Sequence, residues 1–125
     1  MAGKLTLSTL NYDTGVLATQ NGMRGIAKAW ANFNTTGGTI TVRDSFNVSS
    51  VVYNGTGDFS INFTTSMPNA NYCVAGSAGY NLGSQSGQAV QPAANFFATG
   101  SFRTQVTNDG AGQNPVFVGV AVFSS

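Results

Sequence analysis

Glutamate and histidine are both absent from this 125-residue chain, and only 7% of its residues are charged, against about 25% in an ordinary soluble domain. Without histidine the usual general base is missing, and with it the nucleophile–histidine arrangements of hydrolases. Without glutamate the only carboxylate side chains are Asp13, Asp44, Asp58 and Asp109, too dispersed along the chain to read as a hard-cation cluster. A glycosidase would have to pair two of them. Asp44 and Asp58 are the nearest candidates, and the simpler reading makes each a polar residue at a strand end. The cations are Lys4, Arg24, Lys28, Arg43 and Arg103, for a net charge of +1. No basic cluster exists to supply the several phosphate contacts of nucleic-acid binding or to attach the chain to an anionic membrane. Neither nucleic acid nor membrane is expected as a partner, no cofactor is expected, and the chain does not read as an enzyme.

Cysteine is equally scarce. Cys73 alone closes no intrachain disulfide and builds no metal site; its apolar neighbours in YCVA predict a small buried hydrophobe. Long apolar runs are missing too. VFVGVAVF, at 116–123, is far too short to span a bilayer, and the opening MAGKLTLSTLNYD has no apolar core of signal-peptide length. The sequence GTGD at 55–58 matches a fragment of a phosphate loop but lacks the lysine and the following helix, so it is assigned to a hairpin.

What is present is an apolar fraction of 42% and 16 glycines, with a surface that Ser, Thr, Asn, Gln and Gly must cover. A near-neutral particle repels its own copies weakly, which favours assembly. Turn dipeptides punctuate the chain at Asn21-Gly22, Asn54-Gly55 and Asp109-Gly110, with further breaks at Gly37-Gly38 and Met67-Pro68-Asn69. Between them lie runs of strand length. TITVRD (39–44) alternates Ile40 and Val42 against Thr39, Thr41 and Arg43, and a second run spans 48–53. DFSINFT (58–64) alternates most cleanly, with Phe59, Ile61 and Phe63 on one face and Asp58, Ser60, Asn62 and Thr64 on the other.

Runs at 72–78, 102–107 and 116–123 follow. The last has large residues on both faces, including Phe117 and Phe123, as befits a central strand or one that meets a partner. NLGSQSGQAVQPAAN (81–95) is expected to be a long loop with at most one short strand.

GIAKAWANFN (25–34) carries Ile26, Ala29, Trp30 and Phe33 at helical spacing, but it is short for a helix that nucleates alone. As a strand it places Ala27, Ala29, Ala31 and Phe33 on one face and Ile26, Lys28, Trp30 and Asn32 on the other. Residues 1–24, with Leu5, Leu7 and Leu10 spaced along a polar segment, read either as an extra strand or as an arm that reaches a neighbouring subunit. Short strands at regular spacing predict an all-β fold, an antiparallel β-sandwich of jelly-roll-like form, over 25–125. Arg43-Asp44 and Arg103 are charges rare enough here to define register at an interface; the simpler reading makes them an exposed pair that contributes little.

The segments AKAWANFN, RDSFNVSSV, YNGTGDFSINFTTSMPNANYCVAGSAGY and VFVGVAVFSS, in that order, resemble a β-rich domain of tailed-bacteriophage virion proteins, cyanophages included. In that family an AWxNFN-like segment precedes R-x-S-F/Y-NVSS, then NGTGD with alternating aromatic and polar residues, then MP-x-A-NY-x-V. The resemblance covers about 25–125 and leaves 1–24 aside. It implies a structural role in the virion, often as a homotrimer, on tail fibres or as a capsid decoration (cement) protein. With no shaft or coiled coil ahead of the domain, the decoration role is the expectation, with the major capsid protein or other virion proteins as partners. A tail-fibre tip that contacts a host surface glycan is the alternative. The residues expected to carry packing or subunit contacts are Leu5, Leu7, Leu10, Trp30, Phe33, Arg43, Phe59, Ile61, Phe63, Phe117 and Phe123.

Overall fold

A computed structural model describes residues 3, 4, 6, 25–79, 87–92, 96–108 and 111–125. Leu5, Leu7, Leu10 and the turns at Asn21-Gly22 and Asp109-Gly110 lie outside the described residues.

Period-two alternation dominates what is described, and the chain answers it with strands: β1 (Ala29–Asn34), β2 (Thr41–Phe46), β3 (Val48–Gly55), β4 (Asp58–Phe63), β5 (Cys73–Gly79), β6 (Gly87–Pro92), β7 (Ser101–Asn108), β8 (Ala111–Gly112) and β9 (Phe117–Phe123). All pairings are antiparallel, in the order β2-β1-β9-β5-β6-β7-β4-β3, with β8 beside β7. The fold is all-β and sandwich-like, two antiparallel sheets joined at a corner. One sheet, the β1 sheet, holds β2, β1, β9 and β5; the other, the β4 sheet, holds β7, β4, β3 and β8.

The corner is β6. Its Gly87 and Gln88 pair with β5, while Ala89–Pro92 pair with β7. The 81–95 segment therefore contains one short strand, and that strand links the two sheets.

The second corner is covalent. β2 and β3 lie at opposite ends of the strand order, yet one residue, Asn47, separates them in sequence. Asn47 has φ 54°, in the left-handed region that asparagine tolerates better than most residues. Its side chain fixes the bend: Nδ2 donates to the Lys28 carbonyl at 3.0 Å and to the Thr65 carbonyl at 3.1 Å, and Oδ1 accepts from the Thr65 N–H at 2.7 Å.

The inner faces make one core. β1 contributes Ala29, Ala31 and Phe33; β4 contributes Phe59, Ile61 and Phe63; β7 contributes Phe102 and Val106; β9 contributes Val118, Val120 and Val122. Phe33 meets Phe59 edge-on at 5.7 Å, and Phe63, Tyr72, Phe97 and Phe102 form a second aromatic group. Fully burying one such side chain contributes about 1.5–3 kcal/mol. Tyr72 keeps its polar tip satisfied inside this group by donating to the carbonyls of Ala98 and Ser101 at 2.9 and 2.8 Å. Burial raises its pKa above the ordinary 10.0, partly offset by the Ala98 bond. Buried Thr35 likewise donates its hydroxyl to the Pro115 carbonyl at 2.7 Å.

Three local expectations need correction. Cys73 is exposed, not buried. Its neighbours Tyr72 and Val74 face the core side, and alternation then turns Cys73 outward. The β3–β4 turn falls at Thr56-Gly57, not at Asn54-Gly55. A bulge between Tyr53 and Gly55 carries β3 two residues further, and the positive φ of 74° belongs to Gly57. A Cβ on Gly57 would lie 2.4 Å from the Val106 carbonyl oxygen, so the turn requires glycine there. Finally, Asp44 stands inside β2 and not at its end, and Val42 on this terminal strand is 40% exposed.

Candidate functional site

Because β1, β9 and β5 lie side by side, their outward residues form rows that register defines. One row runs Phe46, Trp30, Ala121, Ala75; the next runs Asp44, Asn32, Gly119, Ser77. Beyond them Phe117 stands opposite Gly79. A Cβ on Gly79 would fall 2.0 Å from the Phe117 ring, so the ring lies flat across β5 where a side chain is missing. Large rings thus stand at both margins, Trp30 and Phe46 on one side and Phe117 on the other, with Ala, Gly and Ser between. The result is a groove of about 580 Å³ between Trp30 and Phe117. A second apolar hollow of about 380 Å³, edged by Ile26, Phe46, Met67 and Pro68, continues past Phe46. Ile26 and Phe46 are more than half exposed, and Trp30 is 36% exposed.

Arg43 borders this face. It sits where the β1–β2 register shifts, and its guanidinium reaches across β1 to donate to Asn32 Oδ1 at 3.3 Å and to the Val116 carbonyl at 2.9 Å. It makes no ion pair with Asp44, whose Oδ1 accepts instead from the Ser45 N–H at 2.9 Å. Among the described residues an ion pair lies elsewhere, between Asp58 and Arg103 on β4 and β7.

The outer face of the β4 sheet is built differently. Ser50, Val52 and Asn54 of β3, Ser60 and Asn62 of β4, and Arg103 and Gln105 of β7 point outward around Asp58. Most of the polar groups among them satisfy one another. Asn54 Nδ2 donates to Ser60 Oγ at 2.7 Å and to Asp58 Oδ1 at 3.3 Å, and Asn62 Nδ2 donates to Ser50 Oγ at 2.9 Å. Arg103 donates from both Nε and NH2 to the Asp58 carboxylate, and its guanidinium lies 4.3 Å from the centre of the exposed Phe96 ring.

The candidate residues divide accordingly. Phe33, Phe59, Ile61 and Phe63 lie in the core. Trp30 and Phe117 frame the groove, Arg43 borders it, and Phe123 lines a smaller hollow with Asn69, Asn71 and Cys73. Asp44 and Asp58 are on strands of different sheets. Among the described residues no group of three or more His, Cys, Asp or Glu converges. Sequence reasoning missed Phe46, Gly79 and the groove floor. The A-x-S of β5 and the G-x-A of β9 were visible as outward small residues, but only topology sets those strands side by side.

No family model, curated protein or solved structure matches the chain.

Proposed function

We propose that the protein is a non-enzymatic structural component of a tailed-phage particle, a homotrimer that decorates the capsid surface and contacts the major capsid protein or its neighbours. The observation that carries this reading is the outer face of the β1 sheet. It presents Trp30, Phe46 and Phe117 around a floor of small residues, and among the described residues no ionised side chain lines the groove. Large exposed apolar patches on soluble proteins mark interaction surfaces. The ordered resemblance of AWANFN, RDSFNVSSV, NGTGDFSINF and MPNANYCV to virion domains supplies the setting. Among the described residues the first and last strands, β1 and β9, lie side by side, and the chain crosses between sheets at Asn47. That winding supports a jelly-roll-like description.

The polar outer face of the β4 sheet favours a second reading, a tail-fibre or receptor-binding tip that contacts a host glycan. Planar polar side chains beside an exposed ring, as at Asp58, Arg103 and Phe96, are suited to sugar hydroxyls and a sugar C–H face. Gold labelling of purified particles separates the readings. Label across the head supports decoration; label confined to the tail tip overturns it.

A further inference from the structure

We propose that the groove between Trp30 and Phe117 receives residues 4–10 of a second copy of this chain, with Leu5 and Leu7 laid on its floor. This rests on the self-assembly part of the reading above.

The groove supplies the shape. Ala75, Ser77, Gly119 and Ala121 leave depth for branched aliphatic side chains between two rings, and a face with so few polar side chains offers little to a polar ligand. The sequence supplies the occupant. In an extended KLTLSTL, Leu5, Leu7 and Thr9 project to one side while Lys4, Thr6, Ser8 and Leu10 project to the other. Over residues 4–8 the segment then presents a leucine edge to the groove and a polar edge to water.

Reach and location point to a neighbour's groove. The described domain begins at Gly25, and Ile26 edges the apolar hollow that continues from Trp30 and Phe46. The seventeen residues between Leu7 and Gly25, fully extended, span on the order of 60 Å, ample to cross to an adjoining subunit. In the single chain Gly3, Lys4 and Thr6 are exposed, a Cβ on Gly3 would meet nothing within 4 Å, and none of the three lines the groove.

Cys73 makes the arrangement testable. It is exposed two positions from Ala75 along the same side of β5 and is the chain's single cysteine. A Leu7→Cys variant, prepared as an equal mixture of nitrogen-15-labelled and unlabelled full-length protein, is oxidised and its disulfide peptides are read by mass spectrometry. The expected product joins position 7 to Cys73, with labelled–unlabelled hybrids at the statistical share and covalent ladders absent from the parent protein. A 7–73 disulfide found only within one chain overturns the proposal, as does the absence of that disulfide. In parallel, Ala75→Arg places a charge on the groove floor while facing away from the core, and at least a tenfold weakening of association is expected with the circular dichroism spectrum retained. Unaltered association of Ala75→Arg also counts against the groove. If the parent protein assembles while both probes fail, the groove assignment falls and the assembly reading survives; if the parent protein is monomeric at micromolar concentration, both fall.

Discussion

The two outer faces of this sandwich have the same strand geometry and opposite chemistry. On the β4 sheet, Asn54, Asp58, Ser60 and Arg103 satisfy one another, and Asn62 is tied to Ser50. Such a surface is complete in water. On the β1 sheet Trp30, Phe46, Ala75, Ala121 and Phe117 stand outward, with the polar side chains in the neighbouring row, where Arg43 donates to Asn32 beside Asp44. The inner faces of both sheets are largely apolar, with Thr104 of β7 a buried polar member, so folding does not account for the difference. A chain with so few charges retains polar cover on one side and leaves the other suited to protein contact.

The comparison breaks most readily if inward and outward positions fail to differ in energy. On β7, Phe102 is fully buried and the next residue, Arg103, faces out. Phe102→Ala is expected to cost about 3–5 kcal/mol, read as the shift of a urea unfolding midpoint. A cost under 1 kcal/mol would place the core elsewhere.

The corner between the sheets comes next. Asn47→Ala removes three side-chain hydrogen bonds, each worth roughly 0.5–1.5 kcal/mol net, from a residue at positive φ. A loss of about 2–4 kcal/mol is expected. Asn47→Gly should recover part of it by relieving the backbone, and equal losses in the two variants would remove the conformational part of the explanation.

Alkaline pH probes the inner face through Tyr72. Its folded pKa is raised by burial, so the folded state holds the phenolic proton more tightly than the unfolded state. The stability it contributes is present below the ordinary value of 10.0 and is lost as pH rises through the folded pKa. Thermal melts from pH 8 to 11 should show a decline above pH 10 that is smaller in Tyr72→Phe; an identical decline in both proteins removes Tyr72 as its source. The smallest effect belongs to the polar outer face. Arg103→Ala opens a partly exposed ion pair and one ring contact and is expected to cost about 0.2–1 kcal/mol with no change in self-association. A loss of assembly in that variant would reverse the roles assigned to the two faces.

Which parts of this were legible in the sequence follows from the range of the interactions involved. DFSINF announced its two faces because alternation is a property of the strand alone. The AWANFN part of GIAKAWANFN resolved into a strand, with Ala29, Ala31 and Phe33 inward and Trp30 outward, while 25–28 lie ahead of it outside the sheet. Cys73 was misplaced because apolar neighbours were read as a buried run, when alternation sends adjacent residues to opposite faces. The β3–β4 turn was misplaced because a bulge shifts register without a clear local signature. The groove could not be read from local sequence at all. It needs β9 between β1 and β5, and it needs Gly79 to yield its place to the Phe117 ring across the sheet.

The central claim is that the outer face of the β1 sheet is a contact between copies of this chain. Sedimentation equilibrium of the purified full-length protein at micromolar concentration, run beside Trp30→Ala, tests it most directly. The account predicts a parent protein with the mass of three chains and a Trp30→Ala variant displaced toward one chain while still folded. A parent protein with the mass of a single chain across that range would contradict it.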